Sequence, residues 1–121
     1  MINFGQLFHS FRHALRGVAL VFRSEQSFRL QTVIGIVVLL AAWAFRVSRF
    51  EWVTLLFLIG AVLSLELINS IFERLTDVFK PRLHPVVRDI KDIMAAVVFV
   101  ASLAAAGVGL FIFLPKWLRF F

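Results

Sequence analysis

The chain has 121 residues, of which 61% are hydrophobic and 17% charged, with 15 Phe and a mean hydropathy of +0.94. Soluble domains average roughly 45–50% apolar and about 25% charged, so the composition excludes a disordered chain or a small soluble globule, and the length allows a single domain over 1–121. Cys is absent, which removes disulfides, thiolate metal sites and Cys nucleophiles. The formal charge of +6 comes from basic residues flanking apolar runs, a pattern for anionic lipid and membrane topology rather than nucleic acid.

The first predicted element is a surface helix over 1–28. Phe4, Leu7, Phe8, Phe11, Leu15, Val18 and Phe22 recur at steps of three and four, while Gln6, His9, Ser10, Arg12, His13, Arg16 and Arg23 occupy the other face. That is the period of an amphipathic helix, aromatic on one side and arginine-rich on the other, suited to lying in a membrane surface. Nothing before residue 30 reads as a cleaved secretory signal.

Three apolar runs follow, predicted to span the membrane over 29–46, 52–72 and 93–114. A span takes about 20 residues. The third run meets that outright; the second does so only with Glu66 inside the membrane or at its border. The expected fold is therefore all-α: a surface helix plus three transmembrane helices. The segment up to Arg29 has four Arg and the loop from Arg74 to Lys91 has five Lys or Arg, against four basic residues at Arg46, Arg49, Lys116 and Arg119. This places the N-terminus and the second loop on the cytoplasmic side. Trp43, Trp52 and Trp117 then form a belt at the opposite boundary. Pro81 and Pro85 are expected to end the second span's helix and turn the chain back. Small residues spaced by four, Gly60 with Ser64, Ser102 with Ala106 and Ala105 with Gly109, suit close helix packing.

The acidic residues carry the chemistry. Asn69, Ser70, Glu73 and Asp77 all fall within about 60° of Glu66 on a helix and make one polar stripe with it. A solvated face explains Asp77 and Glu73. It does not explain Glu66, which follows fourteen uncharged residues and marks a functional position. Glu25, Lys91 and Asp92 belong to the same membrane border, where a cation and a phosphate can both be held. Phosphate-loop, dinucleotide and protein-kinase signatures are absent from the sequence, and His9, His13 and His84 lack metal-ligand spacing.

The run Glu66-Leu-Ile-Asn69-Ser70-Ile-Phe-Glu73-Arg-Leu-Thr-Asp77, followed by His84-Pro85 and Lys91-Asp92, resembles the prokaryotic diacylglycerol kinase/undecaprenol kinase family. Ser10-Phe11-Arg-His-Ala14-Leu-Arg-Gly17 and Glu25-Gln-Ser-Phe28-Arg29 resemble its N-terminal signature. The resemblance implies a homotrimeric integral enzyme of the bacterial inner membrane that phosphorylates a lipid alcohol with Mg-ATP. It implies Glu66 as catalytic base and Glu25 and Glu73 as Mg²⁺ ligands. Ser10, Gly17, Asn69, Asp77, His84, Lys91 and Asp92 would meet the nucleotide, and Arg29, Glu66 and Ser70 the lipid. The bulk of Ile71 and Phe72, together with Gln31 and His84-Pro85, points to undecaprenol over diacylglycerol. Met94 stands where a small residue is common in the family. The competing reading is a non-enzymatic small membrane protein, such as a transporter or complex subunit.

Overall fold

The computed structural model describes residues 1–79, 82 and 84–120. Four helices follow one another: α1 (Phe4–Ser24), α2 (Gln26–Ala44), α3 (Arg49–Phe79) and α4 (His84–Phe120), with no strand among the described residues. The last three are long and apolar enough to cross a membrane. The all-helical, multi-pass fold expected from the apolar runs is therefore the observed one.

α1 starts at Asn3, whose side-chain oxygen accepts from the Gln6 amide at 3.2 Å and satisfies one free end of the helix. Apart from Val21 its apolar residues are uncovered, Phe4, Phe8 and Phe11 most fully. An aromatic face left bare in this way fits a helix embedded in a membrane surface. The helix stops one turn earlier than its periodicity suggests. Glu25 takes an extended conformation and is the single residue between α1 and α2.

α2 and α3 form an antiparallel hairpin through a four-residue link. Arg46 adopts φ 53° just past the end of α2, the Arg46 amide donates to Trp43 and the Val47 amide to Ala42. Those two bonds close a Schellman ending, and the buried Val47 packs with Ala42, Leu55 and Ile112. Ser48 then opens α3 reciprocally: its amide donates to Glu51 Oε1 at 2.9 Å, and the Glu51 amide donates to Ser48 Oγ at 3.2 Å. Lys116 of α4 donates to the other Glu51 oxygen at 3.0 Å. Phe45 lies against Phe113, Trp117 and Phe120. These ring contacts join the C-terminal ends of α2 and α4.

At about 1.5 Å per residue, the 31 residues of α3 reach about 46 Å and the 37 of α4 about 55 Å, against a hydrocarbon core of about 30 Å. Both helices therefore run on beyond the predicted spans, and the stripe from Glu66 to Asp77 stays helical throughout. Pro85 departs from expectation. It sits in the first turn of α4, where its missing N–H costs nothing, and so begins a helix rather than ending one. Pro81 lies outside the described residues. α2 and α4 each pack on α3 and α1 packs on α2 and α3, whereas α2 and α4 make no direct backbone approach.

The link yields the first test. A non-glycine residue in the left-handed region costs about 1 kcal/mol, so Arg46→Gly should raise the melting temperature in detergent by a few degrees. Glu51→Gln weakens both the reciprocal cap and the Lys116 pair and should lower it by about as much.

Candidate active site

The site begins at the joint between α1 and α2. Its backbone is held on both sides, since the Glu25 amide donates to Val21 and the Arg29 amide to Glu25. Arg29 also turns its guanidinium back onto α1, donating to the carbonyls of Phe22 at 2.9 Å and Arg23 at 2.8 Å. A cation on unpaired C-terminal carbonyls is favourable twice over, through hydrogen bonds and through the helix dipole. Arg74 of α3 donates to Ser24 Oγ at 3.0 Å, and Phe28, nearly fully buried, meets Phe22 edge-on. Between them these contacts fix where Glu25 sits.

Opposite the joint lies the polar stripe of α3. Glu66 is 3% exposed, and Ser27 Oγ donates to its Oε1 at 2.7 Å. One turn on, Ser70, buried, donates to Glu25 Oε1 at 3.5 Å, and Asn69 Nδ2 donates to Glu73 Oε1 at 3.3 Å. The Glu25 and Glu73 carboxyls lie against each other. Further along, Lys91 of α4 pairs with Asp77 at 2.5 Å. His84, Val87, Arg88, Lys91 and Asp92 surround a hollow of about 350 Å³ at the start of α4.

Glu25, Glu66, Asn69, Ser70 and Glu73 are thus neighbours, with Asp77 and Lys91 paired beyond them and His84 and Asp92 beside Lys91. Ser10 and Gly17 are not brought to this cluster. Both are exposed on α1, and a Cβ built on Gly17 meets nothing within 4 Å. Arg29 is engaged by α1, as described. Ser27 is the participant that sequence reasoning missed. It lies 39 residues from Glu66, and no short-range spacing announces a pairing that only the α2–α3 hairpin creates.

Two adjacent carboxylates repel unless a proton or a cation lies between them. Among the described residues no three acidic or histidine groups converge. The Glu25–Glu73 pair still fits Mg²⁺, which commonly takes one or two carboxylates and fills its remaining positions with water and substrate phosphate. The donor set contains oxygen only, as that ion prefers.

The fold and site together define a small multi-pass membrane protein with an oxygen-donor centre beside a buried carboxylate. Residues 12–113 match the family model described as prokaryotic diacylglycerol kinase, and the chain belongs to that family. It is 35% identical to the undecaprenol kinase of Bacillus subtilis over 111 residues, covering 92% of this chain and 90% of the relative. It is 32% identical to a diacylglycerol kinase of Synechocystis (90% of this chain, 63% of the relative) and 32% identical to one of Pseudomonas aeruginosa (74% and 72%).

Arg29→Ala should release the end of α1. Losing hydrogen bonds from a charged donor at a partly exposed site costs about 1 kcal/mol, so amide exchange across residues 22–26 should quicken about fivefold. Exchange in α3 and α4 should stay unchanged, as read by mass spectrometry.

Proposed function

We propose that this protein is a lipid kinase that transfers the γ-phosphoryl group of ATP to the hydroxyl of a membrane lipid alcohol, undecaprenol or diacylglycerol. The product is the corresponding phosphate monoester. Family membership carries the reading. The buried Glu66 beside a facing carboxylate pair supplies the chemistry it needs. A transporter or complex subunit gives no reason for acids from α2's start and α3's stripe to meet at one point.

Glu66 accepts the proton of the lipid hydroxyl as the oxygen attacks the γ-phosphorus, with Ser27 fixing the carboxylate's orientation. Glu25 and Glu73 would hold Mg²⁺, which would supply charge withdrawal from the phosphate oxygens. Asn69 steadies Glu73. Lys91 leaves Asp77 to meet the triphosphate as a mobile point charge, and His84, Asp77 and Asp92 line the nucleotide side. The family resemblance assigns Ser10 and Gly17 to the nucleotide, which would have to reach α1 from the cluster, and Arg29 and Ser70 to the lipid acceptor. Catalysis of this kind is mostly positioning and electrostatics.

The protein resides in the bacterial cytoplasmic membrane with its N-terminus on the cytoplasmic face, as the basic residues at the Glu66 end require. It works as a homo-oligomer, and the family resemblance implies a trimer. Undecaprenol is the preferred acceptor. The bulk of Ile71 and Phe72, both exposed on α3, supports a slim single chain over a two-tailed lipid.

Purified protein in bilayers with radiolabelled Mg-ATP should label undecaprenol, and diacylglycerol more slowly. No label in either lipid would overturn the kinase reading. Glu66→Gln should keep the fold, since Gln is cheaper to hold in the membrane, while kcat falls by about a hundredfold or more. Glu73→Gln should raise the Mg²⁺ requirement, so that excess Mg²⁺ restores part of its rate. Because Glu25 and Glu66 come together within one chain, mixing Glu66→Gln chains with Glu25→Gln chains should give no activity beyond that of either variant, and recovered activity would show that subunits exchange these residues.

A further inference from the structure

α2 and α4 both rest on α3 without approaching each other, and an apolar cleft of about 610 Å³ lies between them. Gln31 of α2 reaches across it, its Nε2 donating to Ser102 Oγ of α4 at 3.0 Å. Gln31 follows Ser27 by four residues and so shares its face of α2. That one face donates to the Glu66 carboxylate on α3 and, a turn farther on, to α4.

α4 has need of such a tie. Its buried residues are Val87, in the first turn, and Ile112, near the far end. Between them no buried side chain keys the helix against rolling on α3. The Lys91–Asp77 pair restrains the start of α4 only weakly, because both side chains are solvent-accessible. The proposed transfer, moreover, requires that pair to open. Ser102 comes eleven residues after Lys91, three turns along and within about 20° of the same side of the helix. Whatever fixes the angle of Ser102 about the axis therefore fixes that of Lys91. With a radius of about 5–6 Å to its side-chain tips, a helix that rolls by about 10° carries a tip about 1 Å. A misplacement of that size costs up to about a hundredfold in rate.

We infer that Gln31 is a positioning residue for phosphoryl transfer: through Ser102 it sets the roll of α4, and so holds Lys91 in place when Lys91 exchanges Asp77 for the triphosphate. The inference rests on the kinase reading. It makes α2 the common reference for two groups on different helices, the base on α3 and the cation on α4. Hydrogen bonds between side chains of membrane helices also serve as plain glue, so the test must separate placement of Lys91 from stability.

Gln31→Leu and Ser102→Ala should each lower kcat/KM for Mg-ATP about tenfold and raise the Kd of AMP-PNP about fivefold, with KM for the lipid alcohol within about twofold. The double variant should lose no more than either single one. Ser102→Thr, which keeps the hydroxyl, should recover wild-type values within about twofold. On a Lys91→Ala background, Gln31→Leu should change the AMP-PNP affinity by less than about twofold. The chain has no Cys, so nitroxides at Leu30→Cys and Leu103→Cys, both exposed positions, report the α2–α4 distance directly. With labelled chains diluted in unlabelled ones, pulsed electron resonance should give a narrow distribution that Ser102→Ala broadens.

A Gln31→Leu loss that persists in full on the Lys91→Ala background, or a lipid KM that rises as far as that for ATP, makes the bond mere glue and overturns the inference. Unchanged ATP dependence overturns it as well. If the wild-type protein transfers no phosphate while Ser102→Ala still broadens the distance, the tie on α4 stands and the kinase reading falls.

Discussion

A carboxylate held inside a helix pair is the constraint around which the rest of this molecule is arranged. Glu66 is almost inaccessible and sits on a helix whose neighbouring residues are leucines. An ionisable group in such a place needs a hydrogen-bond partner. Ser27 supplies the partner from α2. For Ser27 to reach it, α2 must begin close beside α3, and α1 must already have ended. The break at Glu25, the Arg29 clamp on α1 and the Arg74 bond to Ser24 all serve that local demand.

The far end of the bundle meets the matching requirement without any chemistry. Closing the α2–α3 hairpin in four residues forces Arg46 into the left-handed region, and the link recovers that cost through the Schellman bonds, the Val47 contact and the Ser48–Glu51 cap. Fixing the register there fixes it 15 residues later, where Leu55 through Ser70 carry the buried face of α3 down to the cluster. A hydrogen bond made at one boundary thus helps to align a side chain near the other.

Much of this was legible in the sequence because membranes enforce simple rules. Apolar run length gave the spans, the three-and-four spacing gave α1, and the isolated charge at Glu66 gave the position of interest. What stayed hidden depends on contacts between segments far apart. Nothing around Ser27 distinguishes it from a surface serine, and Arg29 reads equally well as an anchor, a ligand contact or the cap that it is. Pro85 was read as punctuation because proline ends helices more conspicuously than it starts them. The small residues at Ser102, Ala105, Ala106 and Gly109 suggested tight packing. Within the chain Ser102 is bonded by Gln31 of α2, and Ala105, Ala106 and Gly109 line the cleft beside it.

The single-residue joint at Glu25 has a geometric consequence. In the proposed placement α1 lies in the membrane surface and α2 in its interior, so the residue between them would be pinned at the level where one gives way to the other. A thicker or thinner bilayer can tilt α2 or slide its distant end, yet the pivot keeps its depth. Glu25 therefore works as a datum for the cluster, holding one carboxylate at the plane where lipid hydroxyls gather and water begins.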